Sequence, residues 1–178
     1  MTNIHYIAIK EAYGEGKAER SGVPFIQHID EGVRILDLIG ATQEAKNAFM
    51  LHPIYQMFDD PRMVAVRKRY GHLFDPYAVE LAEEYARVAN SYLRKLHYRS
   101  PDDAVSLSTY SEVNDMLVAD KVQNRKDFEE WFVPYARYAA AYDMTVMSDI
   151  CDLDQYFKNW LKALNVSEIE YMALISKI

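Results

Sequence analysis

The chain has 178 residues, half of them hydrophobic, and a single cysteine, Cys151. That length fits one domain with an ordinary core, and one cysteine excludes both an intramolecular disulfide and a cysteine-rich zinc site. The net charge of −7 argues against a broad nucleic-acid-binding surface, which needs clustered Lys and Arg. No apolar run approaches the length that spans a membrane. The opening Met1-Thr2-Asn3-Ile4-His5 has neither the basic nor the apolar region of a secretory signal, so a soluble cytoplasmic protein is expected.

Pro24 opens a helical pattern with Phe25, Ile29, Val33, Leu36 and Ile39 near a 3.6-residue period, ended by Gly40. Thr42 is a suitable N-cap for the next helix, which carries Ala45, Ala48, Phe49 and His52. Pro53 should end or kink that helix, because a proline pushes the residue before it out of the α region. Asp59-Asp60-Pro61 reads as a further helix start, with a run to Tyr70 and a stop at Gly71. Pro76 begins a long helix towards Leu96, with the stripe Val79, Ala82, Ala86, Ala89 and Leu93. Residues 97–110 are polar, carry Pro101 and read as a loop. Ser111 should cap a helix through Leu117, Asp120 and Asn124 to Phe132, interrupted by Pro134. A helical stretch over 135–148 follows, then one starting at Asp152 or Asp154 and running to Leu164. Ser167, with Glu170 three residues on, forms a capping box for the last helix. No strand alternation, repeat, low-complexity tract or linker appears. The expectation is a compact all-α bundle of roughly eight helices, whose topology spacing alone does not give.

Five histidines are present. His5, His72 and His97 fall near the terminus or at helix ends, where solvated or capping roles are expected. His28 and His52 fall on or beside apolar helix faces, and each reads either as a buried histidine bonded to backbone or as a ligand. Asp120 lies among Leu117, Val118 and Val122, and a buried carboxylate needs a cation or donors to offset its desolvation. Two imidazoles and a carboxylate suit a metal such as Zn, Mn or Fe, but periodicity does not decide whether they converge. The run Arg67-Lys68-Arg69 reads as the solvated face of a helix or as a phosphate- or subunit-facing patch. The 14 tyrosines, with Tyr135, Tyr138 and Tyr142 at helical spacing, suit core or interface, and a few can stack on a base.

Three segments in order resemble a known family. Arg20-Ser21-Gly22-Val23-Pro24-Phe25-Ile26-Gln27-His28 resembles the opening of the HD domain of RelA/SpoT-type alarmone hydrolases, where a similar run leads into the first metal histidine. Leu51-His52 looks like the start of that family's Leu-His-Asp box, and Val118-Ala119-Asp120-Lys121-Val122-Gln123-Asn124-Arg125 is similar to the segment bringing its last metal aspartate. The chain resembles still more closely phage-encoded proteins of the HD-domain phosphohydrolase type. There Leu51-His52-Pro53 with Gln56, the helix Ala82 to Leu93, and Ala119 to Glu129 have their counterparts.

The resemblance implies a single HD-like helical domain over 1–178, with core motifs in 20–125 and a helical C-terminal extension over 135–178. It implies His28, His52 and Asp120 as ligands of a divalent metal (Mn, Fe, Co or Zn). Arg20 and Ser21 would lie against the base of a nucleotide, and Lys121, Asn124 and Arg125 near its ribose or phosphates. The chain departs from the family at the metal aspartate, here Pro53, and at the water-positioning acidic pair, here Gln56 and Met57. Loss of such acids removes general-base help worth about 10²–10⁴ in rate. Asp59 and Asp60 follow closely, but Asp-Asp-Pro reads better as a helix cap than as replacement ligands.

Three readings stay open. One is a degenerate HD protein that binds a nucleotide or nucleotide-derived signal without efficient hydrolysis, for sensing or sequestration, with a phage counter-defence role in view. The second is an active metal-dependent nucleotide phosphohydrolase with a remodelled site. The third is a structural or interaction protein. A metal-free variant of the first has the imidazoles and Lys121 meeting phosphate directly. Homo-oligomers suit all three, since HD proteins often assemble.

Overall fold

A computed structural model describes residues 3–18, 22–93, 99–134 and 145–178, without the side chains of 145–150. The chain is all-α, and no strand forms among the described residues. The helices are α1 (Ile4–Tyr13), α2 (Phe25–Leu38), α3 (Gln43–Gln56), α4 (Pro61–Tyr70), α5 (Pro76–Leu93), α6 (Ser111–Asp127), α7 (Thr145–Ala163) and α8 (Glu168–Ile175). A π-helical turn, Phe128–Phe132, continues α6. No helix among the described residues is long and apolar enough to cross a membrane.

Helix α3 is the hub. It packs against α1, α2, α4, α5 and α6, and Ala45 together with Ala48 through Ile54 is buried. A helix buried all round needs no polar face, which is why its sequence shows little amphipathic pattern. Helix α6 lies against α2, α3 and α5 on one side and α7 and α8 on the other. Phe49 of α3 meets α2 at Gly32, where a Cβ would stand 2.2 Å from the Phe49 ring. Only glycine lets the two helices close to that distance, one turn from His28.

Several boundaries follow the local chemistry expected. Gly40, at φ +74°, closes α2 in a Schellman arrangement, with Ala41 N donating to Leu36 O (2.9 Å) and Gly40 N to Asp37 O (3.2 Å). Thr42 Oγ1 accepts from Ala45 N (3.1 Å), Asp60 caps α4 ahead of Pro61, and Ser167 with Glu170 forms the capping box of α8.

Others are corrected. Pro53 does not end α3, which continues to Gln56. Ser111 is the first residue of α6 rather than its cap, which is Tyr110. Asp152 and Asp154 lie inside α7. Instead of capping a helix, Asp152 accepts from the Arg99 backbone (2.7 Å) and pairs with its guanidinium, tying the loop after α5 to α7. Of the stripe expected on α5, Ala82 and Ala89 are buried, beside Ala78, Leu81, Tyr85, Val88 and Tyr92, whereas Leu93 is turned outward at 49% exposure. His5 is not solvated: it is buried, its Nδ1 lies 2.8 Å from Asn3 Oδ1 and its Nε2 accepts from Asp75 N (3.2 Å). His72 is exposed as expected. In the basic run, Arg69 pairs with Glu11, and Arg67 lies over Phe58 and donates to its carbonyl. His97, Tyr135, Tyr138 and Tyr142 lie outside the described residues.

Candidate functional site

Helices α2, α3 and α6 bring His28, His52 and Asp120 together. His28 Nε2 stands 3.4 Å from His52 Nε2 and 3.4 Å from Asp120 Oδ1. The His52 Nε2 to Asp120 Oδ1 distance is 4.0 Å. Ligands about 2.0–2.1 Å from a tetrahedral centre stand roughly 3.3 Å apart, so the three donors are spaced as ligands of a first-row ion. Their side chains form such a cluster with no further His, Cys, Asp or Glu among the described residues.

The proton positions follow from the partners. His28 Nδ1 lies 2.7 Å from Gln123 Oε1 and His52 Nδ1 lies 2.6 Å from Phe49 O. Both partners only accept, so each ring carries a proton on Nδ1 and turns its Nε2 towards the shared centre. Burial first, then the neighbouring His28, lowers the His52 pKa to about 3, which keeps that ring neutral at ordinary pH.

The Phe49 carbonyl is open because of Pro53. In a regular helix it would accept the N–H of residue 53, and proline has none. The His52 ring takes the vacated acceptor. This exchange explains why α3 continues through Pro53, and it fixes the rotamer and tautomer of His52.

Gln123 is fixed in turn. Its amide Nε2 donates to Glu31 Oε2 (3.1 Å) and to Asp127 Oδ2 (2.8 Å), which leaves Oε1 for His28. Glu31 also receives Lys126 Nζ (2.6 Å) and Gln27 Nε2 (2.8 Å). Burial alone would raise the Glu31 pKa, but these donors outweigh it and hold the carboxyl below its usual value.

Asp120 is buried, and burial would raise its pKa. The Lys121 ammonium, 2.6 Å from Oδ2, and the two histidines outweigh burial and hold the carboxyl well below the usual carboxylate range. Asn124 Nδ2 donates to Oδ1 (2.9 Å). The wholly buried Tyr85 ring packs 4.7 Å from His52. Its hydroxyl is kept protonated by burial and by the Asp120 charge, which raise its pKa well above the usual phenol value.

The donors open onto a cleft of about 350 Å³ that also meets Pro53, Gln56, Arg62, Asn124 and Asp127. Of the expected nucleotide-side residues, Asn124 lines this cleft and Lys121 lines an adjoining cavity. Arg125 is not brought there; it is turned towards α8, where it pairs with Glu168 and Glu129 and lies 4.1 Å over the Tyr171 ring. Arg20 and Ser21 lie outside the described residues. At the positions where a family aspartate and acidic pair are expected, Pro53 is buried, Gln56 bonds to Asn90 (3.2 Å) and Met57 is exposed. Asp60 is committed to Arg62, and neither Asp59 nor Asp60 lines the cleft.

Sequence reasoning missed Gln123 and Asp127. Both were available, because they stand three and seven residues after Asp120 and share its helix face. Comparison of the chain with family models, curated proteins and solved structures finds no match.

Proposed function

We propose that this chain is a degenerate HD-type protein in which His28, His52 and Asp120 hold a divalent metal ion, and that it binds the phosphates of a nucleotide or nucleotide-derived signal without efficient hydrolysis. The observation that carries the reading is the pair of Nδ1-protonated imidazoles, each bonded to a pure acceptor, with both Nε2 atoms aimed at one carboxylate oxygen. A bound divalent ion supplies Lewis acidity towards a phosphoryl oxygen.

The chain's own residues set the charge. The His52 ring is neutral, and Asp120 and Lys121 cancel, so a divalent ion leaves the centre with a net positive charge that draws an anion. Weak hydrolysis follows from the carboxylate inventory. Pro53 and Gln56 stand where a ligand and a water-positioning acid are expected, and general-base assistance of about 10²–10⁴ is lost with such acids. The role that suits a site built to bind but not to turn over is sensing or sequestration of a signalling nucleotide.

A second reading, an active metal-dependent phosphohydrolase, draws on one observation. Asp127 lines the cleft, and its Oδ1 is buried with no hydrogen-bond partner among the described residues, the Lys126 ammonium standing 3.8 Å away. A carboxylate so placed is suited to accept a proton from water.

Metal analysis by mass spectrometry of protein purified without added metal, beside His52→Ala, tests the centre. Near-stoichiometric Mn, Fe, Co or Zn, lost in the variant, is the expected result. Steady nucleotide turnover by pure protein, abolished by both His52→Ala and Asp127→Asn, would replace the binding reading with the hydrolytic one.

A further inference from the structure

The metal-side cleft is one lobe of a larger space. A second lobe of about 400 Å³ adjoins it, and Gln56, Asp120, Asn124 and Asp127 line both. The second lobe is built differently. Its walls are Tyr85, Phe128, Trp131, Phe132, Tyr156 and Phe157, drawn from α5, the π-helical turn and α7.

We propose that this aromatic lobe seats the planar heterocyclic base of a nucleotide whose phosphates lie at the His28–His52–Asp120 centre. The proposal rests on the phosphate-binding reading of that centre and adds where the rest of the ligand goes. Three observations carry it.

The first is chemistry. An aromatic wall with a few polar groups at one end suits a flat, weakly polar ring, and the volume falls within the roughly 300–1,000 Å³ of small-molecule sites.

The second is charge. The only cation lining this lobe among the described residues is Lys121, and its ammonium is committed to Asp120 Oδ2 at 2.6 Å. It also stands 5.1 Å from the Trp160 ring centroid and 5.6 Å from that of Tyr156. Among the described residues a second phosphate would find no free cation here, whereas an uncharged base needs none.

The third is exposure. Tyr156, Phe157 and Phe128 are only 5–8% exposed, while Trp131 stands 47% exposed. A large indole left open at the mouth of an aromatic lobe is a ready stacking surface, because stacking a base on an aromatic side chain is worth about 1–3 kcal/mol. The seam residues Gln56 and Asn124 lie where the ribose would cross between the lobes.

The test uses the full chain loaded with Mn²⁺ and three probes, ADP, GDP and inorganic pyrophosphate, titrated by calorimetry against the parent protein, Trp131→Ala and Trp131→Phe. At least one nucleotide should bind the parent protein more tightly than pyrophosphate, by roughly five- to 150-fold on the stacking range above. Trp131→Ala should lose that advantage and leave pyrophosphate unchanged, and Trp131→Phe should keep most of it. Equal affinity for nucleotides and pyrophosphate would overturn the base site and leave the metal-held phosphate site standing. A nucleotide advantage untouched by Trp131→Ala would place the base elsewhere. Failure of pyrophosphate itself to bind would remove the phosphate reading, and this one with it.

Discussion

Two buried polar clusters bridge α2 and α6, one closed and one open. In the closed cluster Glu31 meets Lys126, Gln27 and Gln123, so its charge is balanced and both of its oxygens are bonded. In the open cluster His28, His52 and Asp120 bring two imidazole nitrogens and a carboxylate oxygen within 3.4–4.0 Å of one another. Gln123 belongs to both, since one end of its amide is held by Glu31 while the other holds His28. The difference is that the chain itself balances the Glu31 charge, whereas His28, His52 and Asp120 converge in an arrangement able to hold a metal ion.

Breaking the open cluster should give the largest functional effect. His52→Ala removes one of three donors and should abolish near-stoichiometric metal, read by mass spectrometry, while secondary structure by circular dichroism is kept. Equal metal content in parent protein and variant would mean that the three groups are not a metal centre.

Breaking the closed cluster should cost stability rather than binding. Lys126→Met leaves the Glu31 carboxylate buried without its cation, and removing one partner of a buried pair costs about 3–5 kcal/mol. Its pH dependence has a definite sign. The Glu31 pKa is held below its ordinary value, so its contribution is full above the unfolded pKa of about 4.3 and is lost as pH falls through the folded value. Denaturant melts should therefore show the gap between parent protein and variant shrinking as the solution is acidified below that range. A gap that stays constant with pH would show that the Lys126 stem, not its charge, matters.

The residue shared by the two clusters sharpens the comparison. Gln123→Leu keeps the volume but removes the acceptor that fixes His28. Loss of such an outer partner lowers metal affinity by about 10–100-fold, and a competition titration with a chelator would read it. An unchanged affinity would mean that α2 alone orients His28.

Local sequence rules reached the ends of most helices, because caps act over a few residues. Gly40, Thr42, Asp60-Pro61 and the Ser167–Glu170 box all work as their residue types require. The rules failed where a distant partner outbid a local preference. Asp152 has the chemistry of a cap but is engaged by Arg99, 53 positions away in sequence. His5 looks terminal and solvated, yet the backbone of Asp75 draws it inward. The π-helical turn at Phe128–Phe132 leaves no signature that helix periodicity detects. For the site, motif order was enough to pick out His28, His52 and Asp120, and the geometry brings them together. From the same motif Asn124 lines both lobes and Lys121 the aromatic one, whereas Arg125 faces α8. Pro53 was read as a helix stop or kink and as a lost ligand, because its effect runs through the carbonyl four residues earlier, which a position-by-position comparison does not consider.

The smallest expected effect carries the most specific information. Pro53→Ala restores a backbone N–H opposite the Phe49 carbonyl, which then becomes shared between the helix ladder and His52 Nδ1. An interior proline is about 3 kcal/mol less favourable than alanine in a helix, so the variant should melt at the same temperature as the parent protein or higher. Its metal centre should nevertheless weaken, by about tenfold on the lower end of the scale for outer partners. Nitrogen-15 NMR of the metal-free protein isolates the cause. His52 should be a pure Nδ1-protonated tautomer in the parent chain and a mixture in the variant, with His28 unchanged because Gln123 still holds it. A variant that is more stable, binds metal more weakly and has a mixed His52 tautomer would show that the proline is part of how the open cluster is made. A pure tautomer in both proteins would show that the carbonyl serves both donors at once, and that Pro53 contributes only its shape.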